Sequence, residues 1–384
     1  GRTGQERDHA RDFLRGGQRV DTLRGGIGND DLQGGGGNDL LDGGTGDDRS
    51  VILVTKTEFN FTHTSGSFPG QGRDSLTSIE GFELSGDDQD NLIDASFYKL
   101  GPVTIRGGGG DDTIIGTVFD DELHGQDGID LVKQSAIQSQ FLFSDGNANG
   151  FLDRPGLDSD VLYSIEQAHL VSTSRQGSTI DASSFEGEVT LVGSRGDDRL
   201  YAASTASQLL GNDGNDLLVG GGMADTLVGG SGNDFLEGED GDDVIRGDEG
   251  RDTIYGDGGD DFLFGGNGND VIIGGDGEDS INGGAGQDVL SGEEGDDSIQ
   301  GAEGNDAISG GSGNDILKGG LGNDTLLGDA GQDLLQGEDG SDKLIGGDDD
   351  DRFETSNDLL NADFNETIVG SRNRIDTAFT FDFE

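Results

Sequence analysis

A period of nine residues governs the second half of the chain and most limits what it can fold into. From Gly211 to Glu354, every frame begins with Gly and carries Asp at position six and an apolar residue at position eight, as in GGNGNDVII at residues 265–273. Glycine turns tightly because it adopts positive φ angles without steric cost, and a short β-branched run such as VII favours a strand. Only position eight of that run points inward, so each frame predicts one turn, one strand and one core residue.

The composition of the chain is unlike that of an ordinary globular domain. Of its 384 residues, 75 are Gly and only 30% are hydrophobic, and the formal net charge is −56. Such a composition normally indicates disorder, because too little apolar surface can be buried to offset chain entropy. A strict repeat escapes this limit, because stacked copies bury a shared strip. We therefore predict an all-β fold, a solenoid of parallel strands in which two frames form one flattened coil.

The repeat divides the chain into five predicted parts. Residues 1–51 hold degenerate-to-regular repeats, 52–133 and 134–210 are two copies of a wider solenoid unit, 211–354 form the sixteen-frame array, and 355–384 form a C-terminal cap. A cap is expected because the last coil of a solenoid exposes its core layer. The repeat is already in phase near the first residue, so we expect the chain to be a piece of a longer protein.

The two wider units are predicted from an internal duplication. The motif DSLTSIE at 74–80 matches DVLYSIE at 160–166. Each copy is preceded by an alternating apolar stretch, TEFNFTHT at 57–64 and IQSQFLFS at 137–144, which predicts a half-buried strand. We interpret both copies as wider coils of the solenoid rather than as separate globular domains.

The aspartates at position six are the predicted metal ligands. Each is expected to stack near its counterpart in the next coil, where carboxylates and turn carbonyls together form an oxygen cage that suits Ca²⁺. The chain has no Cys, so calcium would take the place of a disulfide framework, and its binding would be folding energy. We expect on the order of ten or more ions. The predicted carboxylate ligands are Asp30, Asp39, Asp48, Asp112, Asp216, Asp234, Asp243, Asp252, Asp261, Asp270, Asp279, Asp288, Asp297, Asp306, Asp315, Asp324, Asp333 and Asp342. Representative backbone carbonyl ligands are Gly265, Asn267, Gly274, Asp276, Gly283 and Ala285.

The frame resembles the G-G-x-G-x-D-x-U-x repeat of RTX (repeats-in-toxin) proteins. This resemblance implies a right-handed parallel β-roll with calcium ions between adjacent turns. It also implies export from a bacterium by a type I system, with folding outside the cell. The frames AASTASQLL at 202–210 and GGGMADTLV at 220–228 depart from the glycine pattern. Calcium sites beside them are in doubt, as are those around Arg11 and Arg19.

The sequence favours a structural function. Its acidity disfavours nucleic acid and anionic membranes as partners, and it has no apolar run of about 18 residues that would span a membrane. Its four His are scattered and form no zinc motif, so we expect no active site within the chain. We predict an extracellular or cell-surface calcium-binding structural protein, such as a surface-layer, sheath, fibre or adhesin element. The alternative is the C-terminal folding and secretion module of an exported enzyme: a protease, lipase, lyase or epimerase.

Calcium is the expected partner, and two macromolecular partners are considered. Residues 1–24 hold six Arg and four acidic residues, whereas the remainder is strongly acidic. This basic end could meet an acidic neighbour head to tail and give self-association. Alternatively, the arginines replace lost calcium ligands in a degenerate coil. Cell-surface glycans are the other class of partner that we consider.

Overall fold

The computed structural model shows an all-β chain. The residues that it describes are 11–35, 39–53, 58–60, 67–68, 72–73, 75–77, 81–96, 98, 101–117, 119, 121–136, 140–144, 151–153, 160–172, 174–354 and 367–369. Every regular element in these residues is a strand. No helix in this part of the chain is long and apolar enough to cross a membrane.

The strands are short and follow one another along the chain. The first nineteen are β1 (Phe13–Arg15), β2 (Thr22–Ile27), β3 (Asp31–Gln33), β4 (Leu40–Thr45), β5 (Arg49–Leu53), β6 (Glu58–Asn60), β7 (Ser67–Phe68), β8 (Gly72–Arg73), β9 (Ser75–Thr77), β10 (Gly81–Ser85), β11 (Leu92–Asp94), β12 (Val103–Gly109), β13 (Thr113–Ile115), β14 (Glu122–Asp127), β15 (Leu131–Ala136), β16 (Gln140–Ser144), β17 (Phe151–Asp153), β18 (Asp160–Tyr163) and β19 (Gln167–Ser172). The remaining strands are β20 (Thr179–Asp181), β21 (Glu188–Val192), β22 (Arg199–Tyr201), β23 (Ser207–Asp213), β24 (Leu217–Gly221), β25 (Thr226–Ser231), β26 (Phe235–Glu239), β27 (Val244–Glu249), β28 (Thr253–Gly258), β29 (Phe262–Asn267), β30 (Val271–Asp276), β31 (Ser280–Ala285), β32 (Val289–Glu294), β33 (Ser298–Glu303), β34 (Ala307–Ser312), β35 (Ile316–Gly322), β36 (Thr325–Ala330), β37 (Leu334–Gly340), β38 (Lys343–Asp348), β39 (Arg352–Glu354) and β40 (Thr367–Val369).

The chain divides into two compact units. The first comprises Gly1–Ala136, Gln140–Leu170 and Ser184–Glu188, and the second comprises Ile137–Ser139, Val171–Ser183 and Val189–Glu384. The five-part division predicted from the repeat stays a prediction.

In the second unit, successive strands alternate between two parallel sheets. From β21 to β39, each paired residue lies two frames before its partner, so that Ile254 of β28 pairs with Ile272 of β30, and Leu263 of β29 pairs with Ile281 of β31. Each coil therefore contains one strand of each sheet and two turns. The predicted parallel β-roll is confirmed.

The core of the second unit is a double row of position-eight side chains. Leu263 and Ile272 are fully buried, whereas Phe262, at position seven, is 53% exposed. The buried rows consist of Leu218, Leu227, Leu236, Ile245, Ile254, Leu263, Ile272, Ile281, Leu290, Ile299, Ile308, Leu317, Leu326, Leu335, Leu344 and Phe353. One such side chain contributes about 1.5–3 kcal/mol. A core of one side chain per strand is thin, and the charges at the turns must be compensated in another way.

The first unit contains wider coils. Strand β5 pairs with β10 so that Ser50 lies beside Phe82, and β10 pairs with β12 so that Phe82 lies beside Val103. Both spacings exceed two frames. Strands β6 and β16 occupy parts of the two stretches predicted as half-buried strands. Strand β17 pairs antiparallel with both β16 and β18, and β7 pairs antiparallel with β8; these pairings are local departures from the predicted parallel arrangement.

The predicted cap lies mostly outside the described residues. Of residues 355–384, the structure describes only 367–369. These form β40, which pairs in parallel with β38 so that Ile368 lies beside Leu344. The last described strand thus continues the same sheet.

A row of five alternating charges in the first unit begins at Arg11 and crosses strands β3, β5, β10 and β12. Arg11 Nη2 lies 2.6 Å from Asp31 Oδ2, and Arg49 Nε lies 3.0 Å from Asp31 Oδ1. The row continues with Arg49 Nη2 3.4 Å from Glu83 Oε2 and Arg106 Nε 3.5 Å from Glu83 Oε1. The side chain of Arg11 therefore forms an ion pair within the chain. This placement favours the alternative that arginines in the degenerate coils replace lost calcium contacts.

Glu83→Gln should lower the thermal midpoint, because it leaves two arginines facing each other without the carboxylate between them. Loss of these half-buried pairs should lower the free energy of unfolding by about 1–2 kcal/mol. Each kcal/mol should lower the thermal midpoint by about 2–4 °C. The measurement is a thermal melt followed by circular dichroism in fixed millimolar calcium. Asp42→Asn is the matched control, because Asp42 and Arg24 form an exposed pair at 3.9 Å and should contribute nothing. Equal midpoints for the two variants would contradict the assigned role.

Candidate metal centre

Each position-six aspartate joins its turn to the preceding coil. Asp270 Oδ1 accepts the N–H of Asp252 at 2.8 Å, and Asp288 Oδ1 accepts the N–H of Asp270 at 2.8 Å. The carbonyl oxygen of Asp270 in turn accepts the N–H of Val289 at 2.9 Å. All eighteen predicted carboxylate ligands are buried and accept this Oδ1 hydrogen bond from the preceding coil. The structure therefore places them in equivalent positions, stacked along the edges of the coils.

The second carboxylate oxygen, Oδ2, is buried and accepts no hydrogen bond in most of these turns. This holds for Oδ2 of Asp30, Asp112, Asp130, Asp216, Asp234, Asp243, Asp252, Asp261, Asp270, Asp279, Asp288, Asp297, Asp306, Asp315, Asp324, Asp333 and Asp342. A buried carboxylate oxygen without a donor is costly. A regular row of such atoms indicates a ligand of positive charge.

A second oxygen converges on the same place. A Cβ added at Gly265 would lie 2.5 Å from Asp270 Oδ2 and 2.5 Å from the carbonyl oxygen of Gly283 in the next coil. Two oxygen atoms that both lie within 2.5 Å of one point are close enough for a single cation between them to contact both, since Ca²⁺–oxygen distances are about 2.3–2.6 Å. A Cβ at position one would clash with both oxygen atoms.

The predicted backbone carbonyls fall into two groups. Those at position one face the carboxylate of the preceding coil, and they are Gly265, Gly274 and Gly283. Those at position three already accept an N–H from the preceding coil at 2.7–2.8 Å, and they are Asn267, Asp276 and Ala285. The structure brings the first group together with Oδ2. The second group has one lone pair engaged in the stacking of the coils.

The turn that presents these oxygens has positive φ at positions two and four. In the frame at 265–273, φ is 108° at Gly266 and 151° at Gly268. Non-glycine residues also take positive φ at position two, as Asp248 does at 73°. Such a conformation costs about 1–2 kcal/mol for a residue with a Cβ. The repeated turn is thus held against its local preference by the stacking of the coils.

Burial raises the pKa of the position-six carboxyls. The pKa reaches about 7 at Asp234, Asp243 and Asp261, chiefly through desolvation, although the hydrogen bond from the preceding coil lowers it. It reaches about 6 at Asp112, Asp130, Asp216, Asp252, Asp279, Asp288, Asp297, Asp315, Asp324 and Asp333. The fold therefore opposes the ionised form of these groups when only protein atoms surround them.

A second ladder runs along the turns at position five and was not predicted. The N–H of Asn323 donates to Asn305 Oδ1 at 2.7 Å, and the N–H of Ser341 donates to Asn323 Oδ1 at 3.0 Å. The recurrence of Asn and Asp at position five is a sequence signal for it, because both side chains can accept a backbone N–H. Positions five and six together hold adjacent turns in register.

One position-six aspartate outside the predicted ligands has the same geometry. Asp130 Oδ1 accepts the N–H of Asp112 at 2.9 Å, and its Oδ2 is buried without a donor. The frame GQDGIDLVK supplies the signal that identifies it, namely Gly125, Gly128 and Asp130 at positions one, four and six.

Comparison with known families agrees with this geometry. The family described as the RTX calcium-binding nonapeptide repeat matches residues 15–49, 101–132, 187–218, 219–254, 255–290, 283–317, 291–326 and 327–359. These ranges cover more than half of the chain, and the chain belongs to this family. Its repeats bind calcium, and they are typical of proteins that bacteria export by type I secretion. No curated protein matches the chain.

The residues present fit calcium. No group of three or more His, Asp or Glu side chains in the described part of the chain could hold a metal by itself, so backbone carbonyls must complete the shell. Hard oxygen ligands from carboxylates and carbonyls are those that Ca²⁺ prefers. Because the oxygens come from different coils, a site exists only when the coils are stacked, and binding is coupled to folding.

The calcium-free chain should be more stable at pH 5 than at pH 8. The folded pKa values of about 7 at Asp234, Asp243 and Asp261 lie above the ordinary value of 3.8. The folded chain therefore binds more protons than the unfolded chain between these values, and stability falls as the pH rises through about 6–7. The folded fraction in EDTA at the two pH values, measured by circular dichroism, reports this difference. A folded fraction that is equal or higher at pH 8 would contradict the assigned burial.

Gly265→Ala should disrupt a calcium site, because its Cβ would clash with two of the oxygen atoms that form the site. The φ of Gly265 is not positive, but its Cβ would enter the space between Asp270 Oδ2 and the Gly283 carbonyl. The matched control is Gly258→Ala, where the nearest atom, Asp240 Oδ1, lies 3.6 Å away. Native mass spectrometry should count at least one ion fewer for Gly265→Ala and no change for the control. An unchanged count for Gly265→Ala would exclude this glycine as part of a site.

Proposed function

We propose that this chain is an extracellular, calcium-dependent structural element of a bacterial surface layer, sheath, fibre or adhesin. The observation that carries the proposal is the row of buried Oδ2 atoms, each beside a carbonyl oxygen of the next coil. Calcium is abundant outside cells, where calcium-binding modules have dissociation constants of about 10⁻⁴–10⁻³ M. The chain would fold only after it reaches that environment.

The chain's own residues account for this dependence. The turns of one edge follow each other at the spacing of adjacent strands, about 4.8 Å. Their buried carboxylates repel one another; for example, the charges of Asp216 and Asp252 both raise the pKa of Asp234. Bound calcium would supply the positive charge that neutralises these groups. Oδ1 and the backbone N–H groups then hold adjacent coils in register, and the position-eight rows close into a core.

A structural role, rather than catalysis, is supported by how the repeat uses its residues. Position six provides the cation site, position eight provides the core, and the glycines provide the turns. On β14, His124 Nε2 lies 3.2 Å from Glu122 Oε1 of the same strand. Burial lowers the pKa of both His124 and His169. We assign these two imidazoles a structural role within the sheet. Catalysis by the protein that contains this chain would then require residues elsewhere.

The proposed assembly is self-association. The ends of a solenoid offer unpaired strand edges that can pair with another copy, and a head-to-tail contact that does not close gives filaments. Surface glycans are the other proposed partner, since outward rings such as Phe262 and Tyr255 offer aromatic contact area.

Light scattering on a sizing column, first in EDTA and then in millimolar calcium, tests the proposal. We expect an expanded chain in EDTA that compacts in calcium and then grows into filaments or sheets. Compaction to a stable monomer of 39.8 kDa would instead favour the folding and secretion module of an exported enzyme. A hydrodynamic size that does not respond to calcium would overturn both functions.

A further inference from the structure

Among the described turns that carry Asp or Asn at position six, two kinds differ in how this side chain is hydrogen-bonded. In the open turn, positions two and four have positive φ and Oδ2 accepts no hydrogen bond, as at Asp243. In the closed turn, the N–H of position two donates to the side chain at position six of the same frame. Closed turns occur in the frames that begin at Gly16, Gly86, Gly116, Gly193 and Gly220.

In the closed turns of Asp121, Asp198 and Asp225, protein donors reach both carboxylate oxygens. Asp225 Oδ2 accepts the N–H of Gly221 at 2.6 Å, and Asp225 Oδ1 accepts the N–H of Ser207 at 2.6 Å. In the frame at Gly193, Asp198 Oδ2 accepts both the N–H of Ser194 at 2.5 Å and its hydroxyl at 3.0 Å. Further closed turns join Gly17 to Asp21 at 2.7 Å, and Thr117 to Asp121. The atom that faces a cation in an open turn is here already hydrogen-bonded.

The residue at position four separates the two kinds of turn. Between Asp112 and Asp342, wherever Oδ2 has no donor, position four is glycine with φ of 95–159°. Values above about 90° lie outside the region that residues with a Cβ adopt. Four of the five closed turns carry a side chain at position four, and these are Arg19, Gln89, Phe119 and Met223. The fifth has Gly196, and its closure is accompanied by the additional hydroxyl contacts of Ser194.

One closed turn has no charge at position six. In the frame at Gly86 the residue is Asn91, whose Oδ1 accepts the N–H of Asp87 at 3.0 Å. Asn91 keeps the closed geometry with a neutral side chain. The closed turn is therefore completed by hydrogen bonds alone and needs neither the carboxylate charge nor a cation to balance it.

We propose that Asp21, Asp121, Asp198 and Asp225 hold no calcium, and that a side chain at position four selects the closed, calcium-independent turn. This inference rests on the proposed function, since it distinguishes binding from non-binding turns. It places the start of the calcium-binding array of the second unit at Gly211 on one edge and Gly238 on the other. The turns at Gly193 and Gly220 then form a calcium-free end to each row.

The frame at Gly220 offers a matched pair of aspartates. Asp225 and Asp243 are both buried, and the N–H of Asp225 donates to Asp243 Oδ1 at 2.7 Å. They thus lie in consecutive turns of one edge, the first closed and the second open. Asp225→Asn should leave the number of bound calcium ions unchanged. Asp243→Asn should lower it by at least one and shift the calcium titration midpoint upward.

Met223→Gly provides the converse test. Met223 is 56% exposed, so its replacement removes no core contact, and the frame becomes fully glycine-patterned at positions one to four. The open turn should form, and native mass spectrometry of the full chain in calcium should count one additional ion. Asp225→Asn in the Met223→Gly background should return the count to that of the wild-type chain.

The outcomes separate this inference from the proposed function. If the wild-type chain binds calcium and the Asp225→Asn and Asp243→Asn variants lose the same number of ions, only the inference is overturned. An unchanged count for a folded Met223→Gly variant would do the same. No bound calcium on the wild-type chain would overturn the proposed function and the inference together. Circular dichroism in calcium verifies that each variant is folded before ions are counted.

Discussion

The fold depends on how each buried aspartate at position six divides its two oxygen atoms. One oxygen accepts the backbone N–H of the preceding coil, as Asp288 Oδ1 does from Asp270 at 2.8 Å, and so aligns the coils. In the open turns, such as that of Asp270, the other oxygen faces a carbonyl of the next coil and has no donor within the protein. Because a buried carboxylate without a partner is costly, the side chain that aligns the coils also makes their stacking dependent on a cation.

This dependence follows from the thinness of the core. Each strand from β24 to β39 buries one side chain, such as Leu263 or Ile272, whereas the neighbouring Phe262 remains half exposed. Hydrophobic burial of this kind cannot offset a charge of −56 without compensation. The calcium-binding repeat family solves the problem by making the compensating ion part of the fold, so that binding and folding become one equilibrium.

The first unit also contains protein-based solutions to the same problem. Asp31 and Glu83 lie between arginines in a row of alternating charge. At Asp130, the N–H of the aspartate donates to Glu166 Oε2 at 2.9 Å, so that a longer carboxylate takes the place of the next position-six Asp. Closed turns such as that of Asn91 use a backbone N–H instead. Carboxylates are thus satisfied by arginine, by amide groups or by a cation, depending on the local frame.

The sequence by itself determined the parallel β-roll, the position-eight core and the stacked aspartates, because a short repeat allows only one side chain per strand to point inward and returns each residue type to the same place. A side chain at position four marks most of the closed turns in the sequence, but tertiary structure decided which donors reach each carboxylate, since the turn of Asp198 is closed although its position four is Gly196. Gly221 and Glu239 both occupy position two, in the frames of Asp225 and Asp243. Gly221 does not adopt a positive φ, although glycine can, whereas Glu239 has a φ of 72°. Local propensity predicts the reverse. The donors to each carboxylate come from other positions in the turn and from the preceding coil, so their directions are set only when the coils stack.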